Sequence, residues 1–510
     1  MTPVVSTLPI LILVVGVTDA LHFLIRAGDL QRESRGTRDV VLEVAREVGP
    51  PTTVTALTAS IGFLSFLAGP IPALREFGVF AALGILGAWL LTFTLIPLGL
   101  ERCRPRTPAR LPLAARAAEG LLRAAHGLAH RRSALVLAIA ALVSVFALVG
   151  ISRLSVLNDG MNLIGRNDPL SHSERFVRLR LRPLGAIELV YAPPAGEPLL
   201  ERSTVARLEA AERTLSQGDV GPVLSVLSVL RVANREVGSG VFALPDDPRA
   251  ASQLLLLAEG ADARALSRIL TPDRALTRLS VGWRVEGMAN GRSTLERLRD
   301  SLASLLDGHG EWFLTGALVL SIHQGDLVLE NQVASFSTAF LVIFAVLFLF
   351  VRTLRFSALG MLPNVVPVAW ILGFMGFAGI YLDVGTAMIA SILLGVSVDD
   401  TVYFLSHYRD ARRRGADVRA ATAHTFAVAG RPALFTAALL AAGFFVLGFS
   451  KFQSLANFGV LSGSAVLIAF AAELLLMPAV LELAARRSLT GSSGSGRDPS
   501  HRHRASGASP

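Results

Sequence analysis

Nine runs of apolar residues, each about 20 long and free of basic side chains, dominate the sequence and leave it little freedom of fold. They lie at 8–25, 51–69, 77–100, 133–151, 334–351, 357–380, 384–405, 432–450 and 458–481. A hydrocarbon core near 30 Å is crossed by a helix of about 20 residues, because in lipid each backbone N–H and C=O must be satisfied within its own segment. The runs therefore predict a polytopic α-helical membrane protein with about nine spans, where 510 residues would otherwise suggest several soluble domains. Composition agrees, at 52% hydrophobic and 17% charged residues with a mean hydropathy of +0.54. The first run carries Asp19 and has no basic flank, so it reads as a span rather than a cleaved leader.

The basic residues are placed unevenly, and their placement predicts orientation. The segment 101–132 holds eight Arg and two Glu, the segment 406–431 is similarly basic, and the tail opens with Arg486-Arg487. All three are expected on the cytoplasmic side of the cell inner membrane. The segment 152–333 counts 20 Arg against 22 acids and is expected outside, on the periplasmic face. A net charge of +9 thus reports topology and anionic lipid rather than nucleic acid. The single cysteine, Cys103, excludes an intrachain disulfide and any cysteine-cluster metal site.

The expected organisation follows from these shifts in character. Residues 1–101 form three spans, 102–132 an Arg-rich cytoplasmic linker with an amphipathic helix over 113–132, and 133–151 a fourth span. Within 152–333, apolar runs at 186–191, 276–285 and 312–314 alternate with amphipathic stretches at 201–216 and 293–306, which predicts an external βαβ-type α+β domain. A five-span bundle follows over 334–485. The tail 486–510, rich in Gly, Ser, Arg and His, is expected to be disordered, with His501 and His503 as solvated residues rather than metal ligands.

Sliding the chain against itself by 381 residues exposes a parallel internal repeat. Asp19 falls on Asp400, Phe23-Leu24 on Phe404-Leu405, Gly49 on Gly430 and Pro51 on Pro432. Thr55-Ala56 fall on Thr436-Ala437, Gly62-Phe63 on Gly443-Phe444, Phe77-Gly78-Val79 on Phe458-Gly459-Val460, and Pro97 on Pro478. Between Val15 and Glu101, 24 of 87 positions are identical without a gap. Two like-oriented copies imply an axis along the membrane normal. Ahead of the second copy stand a span, the soluble segment and two more spans, roughly 250 residues without a counterpart ahead of the first. A truncated or misassigned start is the expected reason.

The sharpest chemical signal is Gly395-Val-Ser-Val-Asp-Asp-Thr-Val-Tyr-Phe-Leu405, two adjacent carboxyls inside an apolar run. A charge at mid-bilayer costs about 2.5–3.5 kcal/mol on insertion scales, so Asp399 and Asp400 together need a reason. Side by side and away from water, the pair is expected to hold at least one proton, which it can load from one side and release to the other. The first copy reads Gly16-Val-Thr-Asp-Ala-Leu-His-Phe-Leu24, with Thr18 at the place of Asp399, Asp19 at that of Asp400 and His22 at that of Tyr403. Asp19 and Asp400 are expected to face each other between the copies, with Thr55 and Thr436 placed to hydrogen-bond the acids. Glu473, in the last run, is expected near the inner interface.

The repeated pattern (Gly/Ser)-Val-x-Asp-x-x-(His/Tyr)-Phe-Leu, then Pro…Thr-Ala…Gly-Phe, then Phe-Gly-Val…Pro, resembles the resistance–nodulation–division (RND) superfamily. Its nearest branch is the MMPL-type, hydrophobe-exporter group that shares the sterol-sensing-domain bundle. The likeness runs from the family's fourth span to its last. It implies a twelve-span pseudosymmetric bundle with ferredoxin-like porter domains, exporting lipids or other hydrophobic compounds by proton antiport. It also implies a proton relay, here Asp19, Asp399 and Asp400, supported by Thr18, His22, Tyr403, Thr55 and Thr436. Thr18 departs from the acid found in many members, which puts relay duty mainly on the second copy. No GxSxG elbow, Walker loop or zinc spacing is present, so neither an enzyme nor an ATP-driven pump is expected, and no cofactor or metal beyond the proton gradient. The expected partners are membrane lipid or hydrophobic cargo, with a second copy of the chain or a periplasmic protein as further candidates. A lipid sensor or assembly protein, or a protein-translocation accessory factor, is the alternative use of the same bundle.

Overall fold

The computed structural model describes residues 5–31, 37–103, 113–156, 168–180, 185–217, 220–283 and 291–492. The chain opens with α1 (Leu8–Gln31), α2 (Thr37–Leu64), α3 (Pro72–Cys103), α4 (Leu113–Arg131) and α5 (Ser133–Ile151). A mixed stretch follows: α6 (Pro169–Arg180), β1 (Gly185–Ala192), α7 (Arg202–Leu215), β2 (Val220–Leu224), α8 (Val226–Val237) and α9 (Pro248–Leu266). Next come β3 (Thr277–Trp283), α10 (Gly291–Leu306) and β4 (Glu311–Thr315). Helices α11 (Ala317–Val351), α12 (Leu354–Ala378), α13 (Met388–Arg413), α14 (Val418–Leu447) and α15 (Gln453–Ser492) complete it. The chain divides into two compact units, 1–155 with 328–510, and 156–327. The tail expectation for 493–510, including His501 and His503, lies outside the described residues, and α15 itself continues through the Ala-Ala-Arg-Arg turn to Ser492.

Among the described residues nine helices are long and apolar enough to cross a membrane: α1, α2, α3, α5 and α11 to α15. Several run past the apolar stretches that announce them. The second span, expected from residue 51, belongs to a helix that begins at Thr37 and carries Pro50 and Pro51 inside it. Polar flanks such as Arg26 and Glu47 continue the helices and pair with each other at 2.5 Å.

The first unit displays the repeat in space. Helices α1, α2 and α3 are the counterparts of α13, α14 and α15, and each copy packs into the other, α1 against α14 and α2 against α13. Equivalent contacts recur at atomic detail. A Cβ at Gly78 would stand 2.4 Å from the Phe63 carbonyl oxygen, and one at Gly459 would stand 2.5 Å from that of Phe444. The ring pairs Phe63–Phe77 and Phe444–Phe458 lie 6.0 and 5.9 Å apart. Lipid tails are as apolar as leucine, so helices associate here through close packing at small residues rather than by expelling water. Amphipathic α4 packs on α14 and α15, with His126 over Phe426 at 5.1 Å and His130 Nδ1 on Glu482 at 2.5 Å. Burial pushes the His126 imidazole below its ordinary 6.5, with His130 and Arg419 adding to the effect.

The second unit contains a four-stranded antiparallel sheet of order β2-β3-β1-β4, the ferredoxin-like order. Ile187, Leu189 and Tyr191 alternate along β1 and are fully buried with Leu279 of β3, while Glu188 and Arg278 pair at 3.3 Å. Period-two alternation of this kind covers one sheet face, here with α7 and α10. Two helices not expected from the sequence, α8 and α9, are inserted between β2 and β3. Ser225 caps α8 through a reciprocal pair of hydrogen bonds with Ser228.

Candidate functional site

Asp399 and Asp400 stand near the middle of α13, eleven to fourteen residues from either end. At 1.5 Å per residue that is roughly 16–21 Å of helix on each side, more than their distance from Ser406 suggests, because the helix continues to Arg413. Arg409 holds that end in place by donating to the Phe350 carbonyl at the close of α11, at 2.9 Å.

Asp19, on α1, is 6% exposed, and the carboxyl within its electrostatic reach is that of Asp399. This corrects the expectation that Asp19 faces its own equivalent. Successive helical positions point about 100° apart, so only one member of an adjacent pair can look across to α1. Asp400 lies instead within reach of Asp399 and of Glu473 on α15.

Thr55 of α2 donates its hydroxyl to the Thr52 carbonyl at 2.9 Å and stands beside the Asp399 carboxyl. A hydroxyl has one proton and two lone pairs. Turned to Thr52 it accepts from a protonated Asp399, and turned the other way it donates to an ionised one. Thr436 does not reproduce this arrangement. Its hydroxyl donates to the Ala433 carbonyl at 2.9 Å, and the position equivalent to Asp399 is Thr18, which donates to the Val15 carbonyl at 2.6 Å. The expected bond from Thr436 to an acid is absent among the described contacts because the acid it would meet is missing from the first copy.

His22 and Tyr403, equivalent positions of the two copies, stack with ring centroids 4.3 Å apart and planes within 3°. Equivalent residues can touch only at the axis relating the copies, so this stack marks it. The Tyr403 hydroxyl is hydrogen-bonded to Thr52, whose hydroxyl also donates to the Val48 carbonyl at 2.7 Å.

Glu473 corrects a second expectation. It is 5% exposed, and Thr401, the neighbour of Asp400, donates to its Oε2 at 3.0 Å. Asn364 of α12 in turn donates to Thr401 at 2.9 Å and to the Gly360 carbonyl at 2.8 Å. Among the described residues, Asp399 Oδ1, Glu473 Oε1 and His22 Nε2 are buried without a hydrogen-bond partner. No described group of three or more His, Cys, Asp or Glu is arranged to hold a metal ion. The arrangement is suited to holding carboxyls away from water in more than one protonation state.

A nine-span bundle containing two parallel copies of three helices, with acids on α1 and α13 one turn from the ring stack between them, defines a membrane protein of the resistance–nodulation–division type. Residues 201–506 match the model of the MMPL family, and the chain belongs to that family. Residues 1–98 match the sterol-sensing domain of SREBP cleavage-activation. The membrane protein MJ1562 of Methanocaldococcus jannaschii is 26% identical over 176 residues, 34% of this chain and 45% of that protein. Protein dispatched homolog 3 of Gallus gallus is 32% identical over 101 residues, 20% of this chain and 8% of that one. The match thus spans less than half of each of these relatives. The crystal structure of SecDF, a translocon-associated membrane protein from Thermus thermophilus, superposes with a TM-score of 0.55 at 13% identity, covering 94% of this chain and 54% of that one.

Proposed function

We propose that the protein is a proton-motive-force-driven exporter of lipids or other hydrophobic compounds, acting by proton antiport in an inner membrane. The observation that carries this reading is the placing of Asp19 and Asp399 one helical turn from the His22–Tyr403 stack between the two copies, with Asp400 beside them. Acids set between the helices of a bundle are where a proton gradient can act. Adding a proton removes a charge at the contact between α1 and α13, and the Thr55 hydroxyl reverses its role. Either change alters how the two copies prefer to pack. The relay is Asp19, Asp399 and Asp400, with Thr18, His22, Tyr403 and Thr55 shaping it and Thr436 closing the opposite side. The proton is the only cofactor in this scheme.

The second unit supports a hydrophobic cargo. A cavity of about 940 Å³ opens between α8 and α9, walled by Val229, Val232, Phe242, Leu254, Leu257 and Leu266. Pockets of about 300–1,000 Å³ with mainly apolar walls are of the size that takes a small hydrophobic ligand. A sensor or a translocation accessory remains the alternative, favoured by the sterol-sensing match over 1–98 and by the SecDF likeness.

The test is release of a fluorescent fatty-acid analogue from vesicles containing the protein, under an imposed pH gradient. The amides in Asp399→Asn/Asp400→Asn keep the shape of the acids and remove their titration. Gradient-driven release is expected to be lost while the protein stays inserted and folded. Undiminished release by this double variant would put the sensor or accessory reading ahead.

A further inference from the structure

The acid that the relay does not use, Glu473, is the most informative group left in the bundle. Its surroundings assign a role to each of its two oxygens. The Thr401 hydroxyl has one proton and spends it on Glu473 Oε2 at 3.0 Å, while the Asn364 amide donates into the same hydroxyl at 2.9 Å. With the hydroxyl so turned, the chain runs from Asn364 through Thr401 to Glu473, and Oε2 is an acceptor. When Glu473 carries a proton, that proton sits on Oε1, the oxygen that is buried without a partner.

A packing role alone does not explain this choice of residue. A glutamine carbonyl would accept from Thr401 equally well, without an ionisable group that costs about 2.5–3.5 kcal/mol at mid-bilayer. The repeat makes the same point: the equivalent residue of the first copy is Thr92, buried but not acidic. The acid has been placed in one copy, beside the copy's aspartate pair.

We propose that Glu473 is a further proton-binding site of the bundle, taking up and releasing a proton at Oε1 and exchanging it with Asp400. Asp400 directly precedes Thr401, the residue that bonds Glu473, and is the neighbouring carboxyl on α13. Of the other elements packed on α15, α5 has no ionisable side chain and α12 offers Arg355 alone. Helix α14 carries Arg419, His424 and Arg431, and α4 carries Arg116, Glu119, Arg123, His126, His130 and Arg131. From α13, Thr401 touches it directly. The acids then form a series, Asp19, Asp399, Asp400 and Glu473, running from α1 through α13 to α15. Proton binding at Glu473 is a property of this site alone, and its service in export rests on the exporter reading.

The test is infrared difference spectroscopy of the protein in phosphatidylcholine vesicles, taken between acidic and alkaline pH. Each buried carboxyl that changes protonation contributes a carboxylic C=O band. Glu473→Gln is expected to lose one such band. Asp400→Asn is expected to shift the Glu473 band along the pH axis, since the two groups feel each other. Glu473→Asp should restore a band, and Thr401→Val, which removes only the donor to Oε2, should move its frequency. A spectrum that Glu473→Gln leaves unchanged overturns the proposal. So does a Glu473 band whose pH dependence is the same with and without the Asp400 carboxyl. Release of the fluorescent fatty acid is measured on the same vesicles. If the Glu473 band is present but the wild type shows no gradient-driven release, the exporter reading falls and the proton site stands. If release depends on Asp399 and Asp400 while the Glu473 band is missing, the reverse holds.

Discussion

His22 and Tyr403 occupy equivalent places in the two copies, yet only the tyrosine carries a hydroxyl to the neighbouring helix, where it bonds Thr52. The stack and the hydrogen bond are separable. Tyr403→Phe keeps the ring against His22 and gives up one hydrogen bond, while Thr52 retains its bond to Val48. A loss of about 0.5–1.5 kcal/mol is expected. Tyr403→Ala removes the ring as well and opens a cavity at the axis, with a loss nearer 3–5 kcal/mol on the scale of buried aromatic truncations. Thermal unfolding in detergent should rank wild type, Tyr403→Phe and Tyr403→Ala in that order. Equal losses for the two variants would mean that the stack contributes nothing. At this scale the sequence was readable where chemistry contradicts its setting: adjacent acids in an apolar run are visible without a structure. It was unreadable where the facing direction decides. Glu473 is a single acid in the last run, and nothing in its neighbours along the chain reveals that Thr401, 72 residues away, donates to it. Asn364 and Thr401 are ordinary polar residues until the three helices are brought together.

The two copies cross at glycine in different ways, and this makes the packing of elements testable. Where α2 meets α13, Gly62 faces Gly395, and a Cβ at Gly62 would lie 2.8 Å from the Gly395 Cα. At the equivalent crossing of α14 and α1, Gly443 faces Val14, and a Cβ at Gly443 would lie 2.3 Å from a Val14 methyl. The second crossing is thus a glycine-to-valine fit where the first is glycine to glycine. Gly443→Ala should clash and lower the unfolding temperature. Adding Val14→Gly, which copies the other crossing, should recover part of the loss. The two changes are in contact, so their effects should fail to add by about 0.5–3 kcal/mol. Purely additive losses would show that the helices do not meet there. Most elements were legible for physical reasons: apolar runs mark spans, and the 381-residue offset pairs the helices without any coordinates. Helix ends were not, since polar turns such as 26–31 and 406–413 extend helices beyond their apolar stretches. Strand β2, Val-Gly-Pro-Val-Leu, escaped because its Gly-Pro pair reads as a turn, and its sheet partner β3 is supplied from more than 50 residues downstream.

At the scale of the whole molecule, two independent properties bear on how the chain is threaded through the membrane. One is charge: eight Arg in 101–132 and the basic segments at 406–431 and 486–487 are expected to share the cytoplasmic side. The other is parity. Nine candidate spans place 103–132 after the third, 414–417 after the seventh and the tail after the ninth, whereas 156–316 follows the fourth. Odd counts put the three basic segments together on one side, and the even count puts the second unit on the other. The count fixes where spans lie but not which side any loop takes, so the agreement of the two is a constraint. A shift of one span anywhere between residues 132 and 317 would send the basic segment at 406–431 to the side opposite the one at 101–132. The expected result is therefore sharp for reporters fused at Arg110, at Ser239 and after Arg487. The first and last should report cytoplasmic, and the one at Ser239, between α8 and α9, should report external. Cytoplasmic signals from all three positions would require an even number of spans between Arg110 and Ser239 and again between Ser239 and Arg487, where the nine-span bundle has one and five.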